Sequence, residues 1–399
     1  MEYKDFCLPN QTLAMEFFAY LDLDFDAQEI DFDNLDVRYI CFALSYNQEQ
    51  KTVRYAGSYN DKEYMLQEYY DYFFNGENAD EQSVTEIKLS FENAIRPVIE
   101  PYIERTQTVY WGMDAEMHLI PIEWILGEKY KDIVNIHVDS VKYIRNDEKL
   151  DIGRASSLIM GNPQYAIGND VPDEYTKLLC SEIECREIAK IIKGTALVGA
   201  KARQQEFNRN FDKDIIHIST HGKMSYVEDI FSEKNKLKYI HILLAGYSDW
   251  CAERTVEGYG NGTITADDVS YADMRNTKLA VVAACLTNFA NVNILLGNIY
   301  GFRWALGIAG VHFSVTTLWE TDDIATSIFM TLFYRYLKVA SVGEAFHMAK
   351  IRLRSLRREE IKSDSVLNSL FEQYDNAELG REHPFSRDKY WAGFVCYCS

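Results

Sequence analysis

Two apolar runs, each delivering a chemically able residue at its end, set the narrowest limit on what this chain can fold into. Residues 214–220 are Asp-Ile-Ile-His-Ile-Ser-Thr and break at His221-Gly222; residues 278–284 are Lys-Leu-Ala-Val-Val-Ala-Ala and deliver Cys285. β-branched and apolar runs bounded by turn residues are the pattern of strands buried on both faces, and parallel sheets gather their active sites at the carboxyl ends of such strands. A histidine and a cysteine would then meet at one sheet edge. The thiolate is the nucleophile and a free thiol is mostly protonated near neutrality, so the imidazole has a task there. Gly222, lacking Cβ, would let its N–H approach a developing oxyanion, and one such donor is worth roughly 2.7–4 kcal/mol. Taken singly, each residue has a plain alternative: Cys285 as a small buried hydrophobe and His221 as a turn residue.

The rest of the chain predicts a sheet with helices on both faces. Residues 1 to about 75 hold runs at 12–20, 39–44 and 52–56 that read as an antiparallel start, with an acidic loop at 22–36 between the first two. That loop lacks the glycine and closing glutamate of a twelve-residue calcium loop and reads as solvated. Apolar residues from Tyr64 to Ile99 recur at helical spacing, and Pro97 and Pro101 are expected to end or kink that helix. Strands are expected at 107–112, 133–138, 156–160, 239–244 and 311–318, and helices at 175–193, 294–306, 323–338 and 342–356. Strands alternating with helices over this length imply an α/β fold with a parallel-rich sheet. Gly258, Gly260 and Gly262 mark 247–262 as a conformationally permissive loop. Arg352, Arg354, Arg357 and Arg358 form a basic cluster, read as a solvated face or an acidic partner's dock.

Composition excludes several function classes. With 41 basic and 61 acidic residues the net charge is −20, which opposes binding to phosphate backbones. No run approaches the roughly 18 apolar residues of a membrane-spanning helix, and residues 1–5 lack the layout of a signal peptide, so a cytoplasmic protein is expected. The eight cysteines show no paired zinc spacing, and neither metal nor other cofactor is expected.

The text around the two strand ends carries a resemblance. His217-Ile218-Ser219-Thr220-His221-Gly222, Ala283-Ala284-Cys285-Leu286-Thr287 and the segment 310–326 are similar to blocks of the CHAT domain family, caspase-like cysteine peptidases of the caspase/separase clan. Four more blocks agree in order: Trp111 to Glu123, the turn Gly161-Asn162-Pro163, Gly262 to Asp268, and Tyr390-Trp391-Ala392-Gly393-Phe394. The family usually has an acidic residue after the cysteine and a glycine-rich segment beyond it; here 286–291 replaces both. The caspase signature Gln-Ala-Cys-x-Gly is absent as well, so cleavage after aspartate is not implied.

The resemblance implies a caspase-like fold with an inactive N-terminal half at 1–150 and an active peptidase half at 151–399. It implies a cysteine endopeptidase in which Cys285 attacks the scissile carbonyl of a protein substrate, His221 carries the proton, and the N–H groups of Gly222 and Cys285 hold the oxyanion. The segment 318–323 is similar to a separase strand end beside the substrate cleft. Glu320 and Asp322, with Trp319, would there receive Arg or Lys at P1, the residue before the scissile bond. Asp322 and Asp323 are also well suited to cap a helix beginning near Ile324. Relatives commonly act under an upstream sensor or helical-repeat regulator, so such a partner is expected, or else the chain is a free-standing peptidase domain or a fragment of something longer. The competing expectation is a CHAT-like scaffold for protein–protein interaction in a signalling or bacterial defence complex, without catalysis. Nucleic acid and membrane are not expected as partners.

Overall fold

The computed structural model describes Leu8, residues 12–22, 36–47, 50–60, 81–168, Tyr175, and residues 177–224, 236–284, 301–373 and 380–399. Cys285, most of the acidic loop, the helix expected before residue 81 and the first part of the helix expected at 294–306 lie outside the described residues. Packing divides the chain into two units, one built mainly of residues 1–146 and the other mainly of 147–291 and 300–397.

In the first unit, β1 (Thr12–Asp22), β2 (Asp36–Asn47) and β3 (Gln50–Asn60) form the expected antiparallel set. A long helix, α1 (Glu81–Ile103), leads to β4 (Thr108–Gly112), a short helix α2 (Ile122–Leu126) and β5 (Val134–Val138). β4 pairs parallel with both β1 and β5. Helix α1 runs through Pro97 and Pro101 rather than ending there. An interior proline costs a helix about 3 kcal/mol. Here Ile87, Phe91, Ile95, Ile99 and Ile103 are all buried on one stripe, and fully burying each such side chain returns about 1.5–3 kcal/mol.

In the second unit, β6 (Ser157–Pro163), α3 (Leu179–Ile192), β7 (Ala196–Gly199), α4 (Gln204–Asn210) and β8 (Ile215–Ser219) come first. A small antiparallel sheet follows, made of β9 (Gly222–Met224), β10 (Ile240–Leu243) and β11 (Thr263–Thr265), with α5 (Tyr247–Cys251) between the last two. Then come α6 (Ala266–Ser270), β12 (Leu279–Ala283), α7 (Phe302–Ala309), β13 (Phe313–Thr317), α8 (Asp323–Tyr336), α9 (Val342–Ser355) and, last, β14 (Phe394–Cys398). The main sheet runs β14-β13-β12-β8-β6-β7, and every pairing from β13 to β7 is parallel.

β8, β12 and β13 are buried at every position, as strands covered on both faces are; β12 is an unbroken apolar run, while β8 also buries His217 and Ser219, and β13 buries Ser314, Thr316 and Thr317. Ile216, Ile218, Ala280 and Val282 face one core with Phe302, Ala305 and Leu306 of α7, while α3 and α8 pack together on the other side of the sheet. The fold is thus mixed α/β, a parallel-rich sheet flanked by helices, with antiparallel strands at the N-terminus.

Three expectations change in detail. The strand at 239–244 joins the small antiparallel sheet and not the main one, because the chain leaves the main sheet after β8 and Gly222 pairs with Ile242. The segment 247–262 is not a free loop: it opens with α5, buries Asp249 at 1% exposure, and uses Gly262 at φ +66° where a Cβ would meet the Tyr247 backbone. The arginine cluster is largely occupied within the chain, with Arg352 on Glu360 at 2.9 Å and Arg354 over the Trp391 ring at 4.9 Å.

Candidate active site

His221 stands one residue beyond a ladder that fixes its approach. β8 lies between β12 and β6, with Ser219 opposite Ala283 on one side and Gly161 on the other. The Thr220 N–H continues the ladder by donating to Ala283 O at 3.1 Å. The Thr220 hydroxyl donates to Leu243 O at 2.5 Å, and the buried Tyr165 hydroxyl lies 3.0 Å from it. Tyr165 also accepts from the His221 N–H at 3.4 Å, while His221 O accepts from Leu243 N at 2.9 Å. The histidine backbone is therefore held from both sides as the chain leaves the main sheet for β9.

Aromatic rings surround the imidazole. Tyr165 and Tyr175 have ring centroids 5.6 and 5.7 Å from it, and Tyr247 lies 5.7 Å from Tyr175. Tyr165 is held in turn by Asp249, whose carboxylate accepts from the N–H groups of Ile167 and Gly168 at 2.6 and 3.0 Å, and by Ser248 N–H on Tyr165 O. Lys223, two residues past His221, donates to the Tyr247 hydroxyl at 3.1 Å. None of Tyr165, Tyr175, Tyr247, Asp249 or Lys223 was singled out by the sequence. The one local signal was Tyr165 closely following the Gly161-Asn162-Pro163 turn.

Beneath β8 lies a fully buried polar group. His217 Nε2 is 2.7 Å from Glu184 Oε1 on α3, both at 0% exposure, in a contact off the direction of a well-aligned hydrogen bond. Glu184 Oε2 also accepts from Ser327 at 2.8 Å and Ser219 at 3.4 Å. Ser181 donates to Ser219 O and accepts from Asn162 N–H, so α3 is pinned to the ends of β6 and β8 together. Gly161 permits this: a Cβ there would sit 2.4 Å from Cys185 Sγ. Asn162 takes φ +42° and clamps Glu182 and the Leu178 N–H with its side chain.

Of the expected site residues, His221 follows β8 and Gly222 opens β9. Cys285 and its N–H lie outside the described residues; β12 is described to Ala283 and the chain to Ala284, whose O accepts from Thr317 at 3.1 Å. Trp319 is 2% exposed, its indole N–H donating to Lys389 O at 3.2 Å and its ring lying where a Cβ on Gly393 would come within 2.7 Å. Asp322 is the N-cap of α8 and accepts from Ala325 N–H at 2.9 Å. Glu320 is exposed.

These placements give the sequence blocks physical roles, and a profile of the CHAT domain matches residues 91–399. The chain belongs to the CHAT domain family. No curated protein matches it. Among solved structures, the CHAT chain is similar to a chain of the Saccharomyces cerevisiae separase–securin complex, at 13% identity and a TM-score of 0.42, covering 80% of this chain and 17% of that one. It is also similar to a chain in the complex of Porphyromonas gingivalis RgpB pro- and mature domains, at 9% identity and a TM-score of 0.40, covering 80% and 69%. The CHAT chain thus spans about a sixth of the length of the separase-complex chain it matches. Within the CHAT match, the turn 161–163 seats α3 and the segment 390–394 seats Trp319, so both act as packing devices.

Proposed function

We propose that the second unit is a cysteine endopeptidase and that the first is its inactive caspase-like half. The observation carrying this reading is the parallel register of β8 and β12. Ser219 lies opposite Ala283, and His221 and Cys285 each follow that pair by two residues in the sequence. Membership of the CHAT domain family supports it further. In the reaction, the Cys285 thiolate attacks the carbonyl carbon of the scissile peptide and the carbonyl oxygen takes up negative charge opposite the N–H groups of Gly222 and Cys285. The His221 imidazole, having taken the thiol proton, gives it to the leaving amine. Water then attacks the thioester, losing its proton to His221, and the acyl product leaves as the thiol reforms.

For specificity we retain a basic residue at P1, with Glu320 as the carboxylate open to solvent. Asp322 has one oxygen committed to the α8 cap, and Trp319 is buried, so their parts would be local field and floor rather than direct contact. An upstream protein regulator is part of the proposal. The reading is tested with a peptide library and a thiol-directed electrophile. Cys285→Ala and His221→Ala should each abolish cleavage while leaving the thermal melt unchanged, and the double variant should be scarcely slower than either, because the two act as a unit. Undiminished cleavage by folded Cys285→Ala protein would overturn the dyad, and a wild-type chain that neither cleaves a peptide nor takes the electrophile at Cys285 would leave the scaffold reading in its place.

A further inference from the structure

Among the described residues, Lys223 is a cation without an ion-pair partner in an acidic protein. It is partly buried in β9, two residues beyond His221, and its Nζ lies 3.1 Å from the Tyr247 hydroxyl and 5.5 Å from that ring's centroid. The Tyr175 hydroxyl is a further neighbour, and His241 stands opposite in the antiparallel ladder. Among the described residues no carboxylate forms an ion pair with Lys223, although acidic residues outnumber basic ones 61 to 41. The Tyr247 phenol does not neutralise it, since burial pushes that hydroxyl up to about 12 and keeps it protonated at neutral pH. An ammonium has three N–H donors and a high cost of leaving water unpaired, so one held beside two phenol hydroxyls is a ready anion contact. The same rings frame the imidazole, which brings ammonium, phenols and His221 into one cluster at the end of β8.

We infer that Lys223, with Tyr175 and Tyr247, is a substrate subsite that receives a side-chain carboxylate, Asp or Glu, of the bound polypeptide. The inference rests on the peptidase reading for its occupant and assigns a position other than P1. Ammonium–carboxylate hydrogen bonds are roughly twice as strong as neutral ones, so Asn and Gln, equal in size, would be poorer occupants. The overall charge of −20 repels acidic peptides at long range, but that field is screened beyond about 8 Å at physiological salt, leaving the local pair to decide.

The test separates binding from cleavage. Fluorescent peptides with Asp or Glu exchanged for Asn or Gln at each position in turn are titrated against the Cys285→Ala chain, by anisotropy, at 150 and 500 mM salt. At one position the acidic peptide should bind about fivefold more tightly, the size of a favourable partly exposed ion pair. Lys223→Arg should keep that preference, while Lys223→Met and Lys223→Gln, each checked by thermal melt, should lose it. No acidic preference at any position, or one unchanged in both neutral variants, overturns the subsite. If the wild-type chain cleaves none of the peptides that bind, the peptidase reading fails while the carboxylate preference is still measured.

Discussion

At the scale of single residues, Tyr165 does for His221 what no neighbour in sequence could do. Its hydroxyl reaches both the Thr220 side chain and the His221 N–H, and its ring lies against the imidazole. Tyr165→Phe keeps the ring and removes the hydroxyl. Thr220 retains Leu243 O as a partner, so the loss of stability should be only about 1 kcal/mol. The effect on turnover should be larger than that, since the histidine loses one of its backbone restraints, and should show in kcat with little change in KM. A kcat equal to wild type would mean the ring alone positions His221. The histidine and cysteine were legible in the sequence because a buried strand advertises its own end. Tyr165, Tyr175, Lys223 and Tyr247 were not, because their meeting is set by β9 pairing with β10 and by Asp249 drawing in residues 167–168, and none of these contacts leaves a local periodicity.

Elements were legible where burial was complete on both faces and less so where a neighbour overrode local preference. β8, β12 and β13 follow from their runs, and α8 from Asp322 as its cap. The passage of α1 through two prolines and the detour of β10 into a second sheet depend on what they pack against. The α8 cap bears directly on the P1 question, because Asp322 has two readings on one side chain. Asp322→Ala should lower stability by about 1 kcal/mol, as loss of an N-cap does, and Asp322→Ser should restore most of it. If Asp322 acts only as a cap, the serine variant cleaves the same peptides as wild type, whereas Glu320→Ala, at an exposed position, weakens cleavage after Arg and Lys without moving the melt. Cleavage profiles indifferent to Glu320→Ala would remove the basic P1 preference.

At the scale of the whole molecule, acidity acts with opposite sign in different places. In the second unit, burial pulls the Asp364 carboxyl upward, but the Arg335 guanidinium at 2.6 Å overcomes it and holds the pKa below the usual carboxylate range. The stability from that pair is present above the unfolded pKa and is lost on acidification. In the first unit, Glu16 on β1 is 6% exposed, and burial raises its pKa despite the hydrogen bond it accepts from Val141 N–H at 2.7 Å. A carboxyl whose folded pKa is raised binds its proton more tightly in the folded state. Its contribution is therefore fully present below about pH 4.5 and is lost as the pH rises through the folded value. Glu16→Gln keeps an oxygen for Val141 and removes the ionisation. The variant should melt with wild type below pH 4 and above it at neutral pH, the gap opening between those limits. Melts of the two proteins from pH 3.5 to 7.5 measure that gap directly, and a constant offset across the range would show that Glu16 acts through packing and not through its charge.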